Sequence, residues 1–273
     1  MGWIWAPIAL FGLWLFLIAP GRASREKRAP FTGRAFAHRG LYELDQSVPE
    51  NSLPAFRRAA EAGYGAELDV QRTRDGQIVV FHDDSLLRAC GVDKAIRDFT
   101  YEELRQIPLF RSEERIPLFS EVLAIFDGKQ PLIVELKYGP DAALLCEATR
   151  ALLAAYRGPA CVESFHPAMV LWFRKHDPTR LRGQLSEAAC FSKKTLPGYL
   201  AFMMSRLFTN CLTRPQFIAY RVGPKPLSVR AAERMGAMKV LWTARERSQH
   251  ARRMAENDAV IFEGYRPREG KAE

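Results

Sequence analysis

The sequence predicts a (β/α)₈ TIM barrel, preceded by one apolar N-terminal segment. Strand-like and helical runs alternate after Arg34, and eight strand candidates remain once one hairpin arm is set aside. A chain of 273 residues suits this architecture. An open doubly wound sheet is the alternative, but no glycine-rich dinucleotide turn follows the first strand. The strand candidates are residues 35–38, 66–70, 131–137, 160–165, 181–186, 216–221, 239–243 and 258–263, with 78–82 as the hairpin arm.

A β-hairpin is expected directly after the second strand. Asp75-Gly76 is a strong turn signal, and strand-like residues flank it on both sides. A turn centred there places Asp69 opposite His82, while Glu67 and Asp69 share one face because side chains alternate along a strand. Adjacent carboxylates oppose each other's ionisation unless a cation lies between them, and their oxygen atoms suit Mg²⁺ or Ca²⁺. The hairpin therefore indicates a divalent metal site beside a histidine, with a polar hairpin on the domain surface as the alternative.

The connection between this hairpin and the next strand is longer than one helix needs. Thr100 and Glu103 occupy the two positions of a capping box, which predicts a short helix, and a second helix is expected to start near Ser120. We interpret this stretch as a small insertion over the barrel mouth. Other helices are predicted over residues 52–62, 141–156 and 228–235.

The N-terminal segment predicts a membrane anchor over residues 1–21. Residues 3–19 carry no charge, and their number is at the short end of what spans a bilayer. A basic cluster follows, which by the positive-inside tendency keeps the domain after it in the cytoplasm. A cleaved signal sequence is the alternative. The cluster comprises Arg22, Arg25, Lys27 and Arg28; a linker is expected over 22–33 and the barrel domain over 34–273.

Residues 193–212 combine two lysines with a cluster of large apolar side chains. One interpretation is an outer barrel helix packed on the sheet. The other is an interfacial helix that rests the barrel on a membrane.

The net charge of +9 predicts an anionic partner. The basic residues are spread out and are not interleaved with aromatic residues, so we expect phosphate or a membrane surface and no nucleic acid. The five cysteines are widely spaced without a CxxC pair, which argues against a zinc site and a disulfide framework.

Residues with reactive side chains cluster at the predicted C-terminal ends of the strands, where barrels of this type carry their sites. Structural ion pairing explains part of this set, but it does not easily explain why so many members fall at strand ends. The set comprises His38-Arg39, Glu67, Asp69, Glu135, Lys137, Ser164-Phe165-His166 and Trp242-Thr243.

Several short motifs, taken in order, resemble the glycerophosphodiester phosphodiesterase family. The resemblance is dense over residues 35–137 and thin afterwards. It implies a TIM barrel with a hairpin insertion, in agreement with the strand pattern. The motifs are His38-Arg39-Gly40, Pro49-Glu50-Asn51-Ser52, Glu67-Leu68-Asp69-Val70, Thr73-x-Asp75-Gly76, His82-Asp83 and Glu135-Leu136-Lys137.

The resemblance implies a metal-dependent catalytic centre. Its metal ligands fall on Glu67, Asp69 and Glu135, for Mg²⁺ or Ca²⁺ with Mn²⁺ as a further candidate. Its general acid–base pair falls on His38 and His82. Two histidines on opposite sides of a phosphorus atom can take a proton from the attacking hydroxyl and give one to the leaving alkoxide near neutral pH.

The resemblance also implies how substrate is held. Arg39 and Lys137 match cations that bind the phosphate. Glu50 matches a carboxylate at the site edge, either a ligand or a partner of an active-site group, and its place at a predicted helix N-terminus favours the supporting role. The last strand departs from the family pattern in carrying Glu263 where Asp is common, which we expect to affect the substrate end of the pocket rather than catalysis. Further substrate contacts are expected from Ser164, His166 and Trp242.

Three functions follow from these observations. The leading one is hydrolysis of glycerophosphodiesters to an alcohol and sn-glycerol 3-phosphate, with His38 as base and His82 as acid, or with the two roles exchanged. The attacking group could be the substrate's own glycerol 2-hydroxyl. A lysophospholipase D acting on membrane lysolipids is a near alternative. A non-catalytic, membrane-tethered scaffold is the alternative of another class.

Overall fold

The computed structural model describes residues 5–188 and 198–267. Within them, eight parallel strands close into a barrel in the order β1-β2-β4-β5-β6-β7-β8-β9, with β9 paired to β1 and the short β3 antiparallel to β2. The predicted TIM barrel is therefore confirmed. The strands are β1 Arg34–His38, β2 Gly65–Arg72, β3 Ile78–Val80, β4 Leu132–Leu136, β5 Ala160–Ser164, β6 Arg182–Ser186, β7 Phe217–Arg221, β8 Met238–Ala244 and β9 Ala259–Phe262.

The lower part of the barrel interior is filled by side chains. Phe36, Ile133, Cys161 and Phe217 come from strands around the ring and pack together in one buried cluster. Gly183 makes this packing fit, because a Cβ atom at that position would lie 2.0 Å from the Phe217 ring. The closed lower end leaves the C-terminal ends of the strands as the open mouth.

The outer layer is helical, as the alternating pattern predicts. The capping box at Thr100 is present, and the insertion after β3 has its own buried cluster, which includes Leu86, Ile96 and Leu104. The helices are α1 Trp5–Ile18, α2 Arg25–Arg28, α3 Leu53–Glu61, α4 Leu87–Cys90, α5 Tyr101–Leu104, α6 Phe119–Phe126, α7 Ala142–Ala155, α8 Pro167–His176, α9 Gly198–Ser205, α10 Asn210–Thr213, α11 Leu227–Arg234 and α12 His250–Glu256, with 3₁₀ turns at Ile96–Asp98 and Arg247–Gln249.

The hairpin register differs from the predicted one by one residue. Val70 pairs with Val80, so Asp69 lies opposite Phe81, whose backbone N–H donates to the Asp69 carbonyl at 2.9 Å. The cause is a longer turn, closed by a hydrogen bond from Thr73 N–H to the Gln77 carbonyl. A shift of one residue exchanges the faces of a strand. The predicted pairing of Asp69 with His82 is therefore wrong, and His82 reaches the mouth from beyond the end of β3.

The N-terminal helix α1 is apolar but short. It has 14 residues, and no helix among the described residues is long and apolar enough to cross a membrane, so the predicted transmembrane helix is not supported. Only its C-terminal end docks on the barrel. Asn210 donates to the Ile18 carbonyl at 3.0 Å, and Arg214 donates to the carbonyls of Phe16 and Ala19. These contacts satisfy carbonyl groups that the last turn of a helix leaves without partners.

The segment expected to be an unstructured linker, 22–33, is partly ordered by the barrel. Ser24 caps the one-turn helix α2 by accepting a hydrogen bond from the Lys27 N–H. Phe31 is buried in the interior cluster, with its ring centroid 6.3 Å from that of Phe36. Tertiary contact below the barrel thus outweighs the helix-breaking prolines and glycines of this stretch.

The apolar segment 193–212 lies partly outside the described residues, which resume at Gly198. Helix α9 buries Ala201 and Ser205 against the domain. Four of its large side chains, Tyr199, Leu200, Phe202 and Met203, are exposed, and Met204 is half-buried. The helix is therefore packed on the barrel along a narrow face and carries an apolar outer surface.

Candidate active site

Three acidic side chains meet at the barrel mouth because their strands are neighbours. Glu67 and Asp69 lie two residues apart on β2, and Asp69 is paired in register with Glu135 on β4. One carboxylate oxygen from each residue lies within 4.8 Å of the others, and all three residues are buried. The structure therefore brings together the three side chains that the sequence predicts as metal ligands.

The electrostatics of this trio fit a bound cation. Burial, reinforced by the neighbouring carboxylates, raises the pKa of Glu67 well above its usual range. Burial also raises the pKa of Glu135, against the opposing charge of Lys137. Asp69 behaves differently: burial favours its neutral form, but the charges of Lys137, His82 and Arg39 hold its pKa low. Buried carboxylate oxygens at this spacing suit a hard divalent ion.

Two basic side chains border the acidic trio. The Lys137 ammonium lies 2.8 Å from Asp69 Oδ1 and 2.7 Å from Glu135 Oε1. Arg39 follows β1 in the left-handed region, with a φ of 55°, and its backbone N–H donates to Glu67. Its Nη1 donates to Glu50 Oε1 at 2.7 Å. Both predicted phosphate-binding cations therefore lie at the trio, each tied to at least one carboxylate.

His38 is oriented by a carboxylate from the last strand. Its Nδ1 is hydrogen-bonded to Glu263 Oε2, and its Nε2 lies 3.8 Å from Glu67 Oε2. A carboxylate can only accept, so Nδ1 carries the proton and Nε2 is left with the lone pair in the neutral ring. Burial lowers the pKa of His38, although Glu263 acts in the opposite direction. The expectation that Glu263 mainly affects the substrate end of the pocket is therefore corrected: it contacts His38.

His82 has the same kind of support. Its Nδ1 lies 2.6 Å from Asp83 Oδ1. The pKa of Asp83 is held well below its usual range, because hydrogen bonds from His82 and Arg88 outweigh the effect of burial. The Nε2 edge of the ring is left available, and His82 lines the same cavity as His38.

The cavity at the mouth has a volume of about 510 Å³ and joins polar and aromatic surfaces. The polar wall is formed by the two histidines, Arg39, Glu67 and Glu135. Phe165 and Trp242 also line the cavity, and their rings meet edge to face at 5.5 Å. The Trp242 indole N–H donates to the Ala219 carbonyl, which fixes the ring. The cavity thus offers charged groups that suit a phosphate and an aromatic pair that suits an organic substituent.

Other predicted substrate contacts lie away from this cavity. Ser164 is buried and donates to the Leu136 carbonyl at 2.7 Å. His166 accepts from the N–H of Ala168 at the start of α8 and stacks on Tyr138. Glu50 is engaged by Arg39 and by Arg88, so it supports an active-site cation instead of capping a helix dipole.

Sequence reasoning missed several residues of the site. Asp83 follows His82 directly, which was an available signal. Glu163, on β5, lies two residues before Phe165 and lines the cavity, with its Oε2 atom unpaired among the described residues. Asn51 donates to Asp69 Oδ2 at 2.9 Å from a left-handed backbone, and Arg88 reaches the site from the insertion. Asn51 lies in the Pro49-Glu50-Asn51-Ser52 motif, which was a signal, but no local pattern marks Arg88, because its place at the site depends on the path of the insertion.

The family model for the glycerophosphoryl diester phosphodiesterase family matches residues 38–264. The chain belongs to this family. The matched range begins at His38 and includes every described residue of the mouth.

Curated relatives agree with the family. A glycerophosphodiester phosphodiesterase of Caldanaerobacter subterraneus subsp. tengcongensis is 40% identical over 111 residues, which are 38% of this chain and 44% of that protein. The human protein named lysophospholipase D GDPD1 is 32% identical over 136 residues, 45% of this chain and 42% of its own length. The chain spans about half the length of the curated relatives it matches.

Solved structures of the family share the fold. A phosphodiesterase of Oleispira antarctica, solved in complex with the product sn-glycerol-3-phosphate, superposes with a TM-score of 0.70 at 22% identity. The alignment covers 86% of this chain and 94% of that one. This likeness, at such low identity, is evidence for the barrel.

Proposed function

We propose that this family member is a metal-dependent phosphodiester hydrolase. Its catalytic domain, over residues 34–273, would cleave glycerophosphodiesters to an alcohol and sn-glycerol 3-phosphate. The proposal rests on the pair of histidines at the barrel mouth. Each is hydrogen-bonded at Nδ1 to a carboxylate, and both line one cavity beside the acidic trio. The curated names of the relatives and the product held by the Oleispira antarctica enzyme support the same substrate class.

The two histidines carry the proton transfers in this proposal. His38 acts as the base, because its Nδ1–H is directed at Glu263 and its pKa is lowered by burial, which leaves Nε2 free to accept a proton. His82 then acts as the acid and protonates the leaving alkoxide. Asp83 stabilises the protonated ring of His82. In the alternative assignment the two roles are exchanged, so that His82 takes the proton from the attacking hydroxyl and His38 protonates the leaving alkoxide.

The cations stabilise the phosphate. Arg39 and Lys137 lie within reach of the trio and offset charge that develops on the phosphoryl oxygens. Glu67, Asp69 and Glu135 would hold a divalent ion, Mg²⁺ or Ca²⁺ with Mn²⁺ as a further candidate, and that ion would supply Lewis-acid stabilisation of the same oxygens. The substrate's own 2-hydroxyl is the proposed attacking group: its oxygen bonds to phosphorus, the alcohol leaves, and a cyclic 2,3-phosphate results. Water then opens this ring to sn-glycerol 3-phosphate, with the two histidines in exchanged roles.

A lysophospholipase D reaction is the second candidate. The apolar outer faces of α1 and α9 favour a substrate that keeps an acyl chain, and one relative carries the lysophospholipase D name. A non-catalytic scaffold is disfavoured, since it would not require two braced histidines beside a trio of buried acids.

We also propose that the protein rests on a membrane surface on the cytoplasmic side. The exposed side chains of α1 and α9 are apolar, and basic residues follow α1 directly. Apolar surface beside basic residues favours an anionic lipid interface. Contact at the surface needs no spanning helix.

One assay tests the function. Purified protein is given glycerophosphocholine or lysophosphatidylcholine with Mg²⁺, Ca²⁺ or Mn²⁺, and released choline is measured with and without a chelator. Turnover of the deacylated substrate supports the first reaction, and preferred turnover of the lysolipid supports the second. An absence of turnover with every metal on both substrates would favour the scaffold.

A further inference from the structure

Arg88 lies in the insertion, on the short helix α4, and its guanidinium spans two carboxylates. Nε donates to Asp83 Oδ2 at 2.6 Å and Nη2 lies 3.1 Å from Asp83 Oδ1. On the other side, Nη2 donates to Glu50 Oε1 at 2.5 Å and Nη1 lies 3.3 Å from Glu50 Oε2. The Phe110 ring lies 5.4 Å from the guanidinium carbon and covers one of its faces.

Each of these carboxylates has a second partner in the active site. Asp83 Oδ1 lies 2.6 Å from Nδ1 of His82. Glu50 Oε1 accepts from Nη1 of Arg39 at 2.7 Å. A continuous chain of charge-assisted hydrogen bonds therefore runs from His82 through Asp83, Arg88 and Glu50 to Arg39.

We infer that Arg88 is a positioning residue that aligns His82 and Arg39 at the same time, through Asp83 and Glu50. The inference rests on the proposed function, in which those two side chains act on the leaving group and on the phosphate. Arg88 itself does not line the cavity, so its effect passes through the two carboxylates.

The chemistry of arginine suits this role. Its planar fork presents donors in several directions at fixed angles, so one side chain can orient two carboxylates. The positive charge also keeps both of them ionised. The pKa of Glu50 is below its usual range: burial favours the neutral acid, but the hydrogen bond from Arg88 and the charge of Arg39 outweigh it. A lysine is a single point charge and cannot reproduce the fork.

A salt bridge with a purely structural role would behave differently. Arg88 is 47% exposed, and ion pairs with that exposure contribute little to stability. Arg74 is a matched control. Its Nη2 donates to both carboxylate oxygens of Glu103, which lies in the insertion, and Arg74 is 54% exposed and does not contact the active site. Loss of either arginine should change the melting temperature by a similar small amount, but only loss of Arg88 should affect turnover.

The test uses the full chain loaded with Mg²⁺ or Ca²⁺ and compares Arg88→Ala, Arg88→Lys and Arg74→Ala. Arg88→Ala is expected to lower kcat about 10²-fold with a smaller change in KM, and Arg88→Lys to restore only part of it. Adding Arg88→Ala to Asp83→Asn, and separately to Glu50→Gln, should lower kcat by less than the product of the single effects. Wild-type kcat in Arg88→Ala, or an equal loss in Arg74→Ala, would overturn the inference.

A second readout separates this inference from the proposed function. Imidazole nitrogen chemical shifts of His82 are measured by NMR in the wild type and in Arg88→Ala, with His166 as the internal reference. The His82 shifts are expected to change and those of His166 to stay constant, whether or not the wild type turns over the assay substrates. Unchanged His82 shifts would reject the positioning role even in an active enzyme.

Discussion

Glu263, directly after β9, accepts a hydrogen bond from Nδ1 of His38 at the end of β1, so the closing pair of strands joins the proposed catalytic base to the carboxylate that orients it. The two residues are far apart in sequence and meet only because the barrel closes. Tyr42 and Arg245 also contact the Glu263 carboxylate and hold it in place.

Glu263→Ala is expected to lower kcat about 10²-fold, because His38 loses the partner that fixes its tautomer and orientation. The carboxylate raises the pKa of His38 against the effect of burial, so its removal should lower that pKa further. Activity that depends on the neutral base would then appear at lower pH, and the acidic limb of the kcat/KM profile should shift downward. Glu246→Ala, at the same rim, is the control and should leave the limb in place.

The acid and base roles can be separated with the leaving group. A glycerol phosphate ester of p-nitrophenol releases an anion that needs no proton, whereas glycerophosphocholine releases an alkoxide that does. His82→Ala should therefore lose about 10²-fold more activity on glycerophosphocholine than on the aryl ester. His38→Ala should lose activity on both substrates. The reverse pattern would exchange the two roles.

Metal binding should stabilise the fold through the acidic trio. A ligand that binds only the native state adds about 2.7 kcal/mol at a concentration of 100 Kd, so saturating Mg²⁺ or Ca²⁺ should raise the melting temperature by several degrees. Glu67→Gln and Glu135→Gln should abolish most of this rise. Calorimetry of unfolding with metal and with chelator measures it, and Glu61→Gln on the exposed surface of α3 is the control. An undiminished rise in both trio variants would place the ion elsewhere.

Glu163 should make the metal-free protein less stable at high pH. Burial, together with the carboxylates of Glu135 and Asp69, raises its pKa well above the usual range. Between about pH 4.3 and the raised pKa of the folded state, the folded chain holds a proton that the unfolded chain has released. The free energy of unfolding therefore falls as pH rises through this range. Glu163→Gln should remove this penalty and raise stability at pH 8, with little gain at pH 4.

The pH test of Glu163 is made by thermal unfolding in chelator at both pH values. Glu61→Gln, an exposed carboxylate on α3, is the matched control and should show no such difference. A Glu163→Gln variant that is less stable than the wild type at pH 8 would contradict the sign of the effect.

The proposed membrane contact predicts binding to vesicles that contain anionic lipid. Leu10→Ser with Phe11→Ser removes two exposed apolar side chains of α1, each of which contributes about 1.5–3 kcal/mol when buried in lipid. The bound fraction in co-sedimentation should fall at least about tenfold in partition coefficient. Leu144→Ser, 54% exposed on α7, is the control and should bind like the wild type. Equal binding of the wild type, the double variant of α1 and Leu144→Ser would show that α1 is not the membrane contact.

The sequence by itself was sufficient for the barrel and for the centre of its site. Alternation of strand-like and helical runs requires a parallel sheet with crossovers, and period-two patterns place Glu67 with Asp69 on one face. The capping box at Thr100 is an equally local signal, and the helix that it predicts is present. The last two conclusions follow from spacing within one short segment, whereas the barrel follows from alternation along the whole domain.

Tertiary structure decided what distant segments do to one another. The hairpin register depended on how many residues the turn contains, which moved Asp69 opposite Phe81. Phe31 was drawn from an apparent linker into the barrel, and Glu263 was brought to His38 by closure of the ring. Arg88 was brought to the site on the short helix α4 of the insertion. Packing and closure of the barrel set these contacts. The residue pattern within one segment gives no information on the distance to residues of another segment.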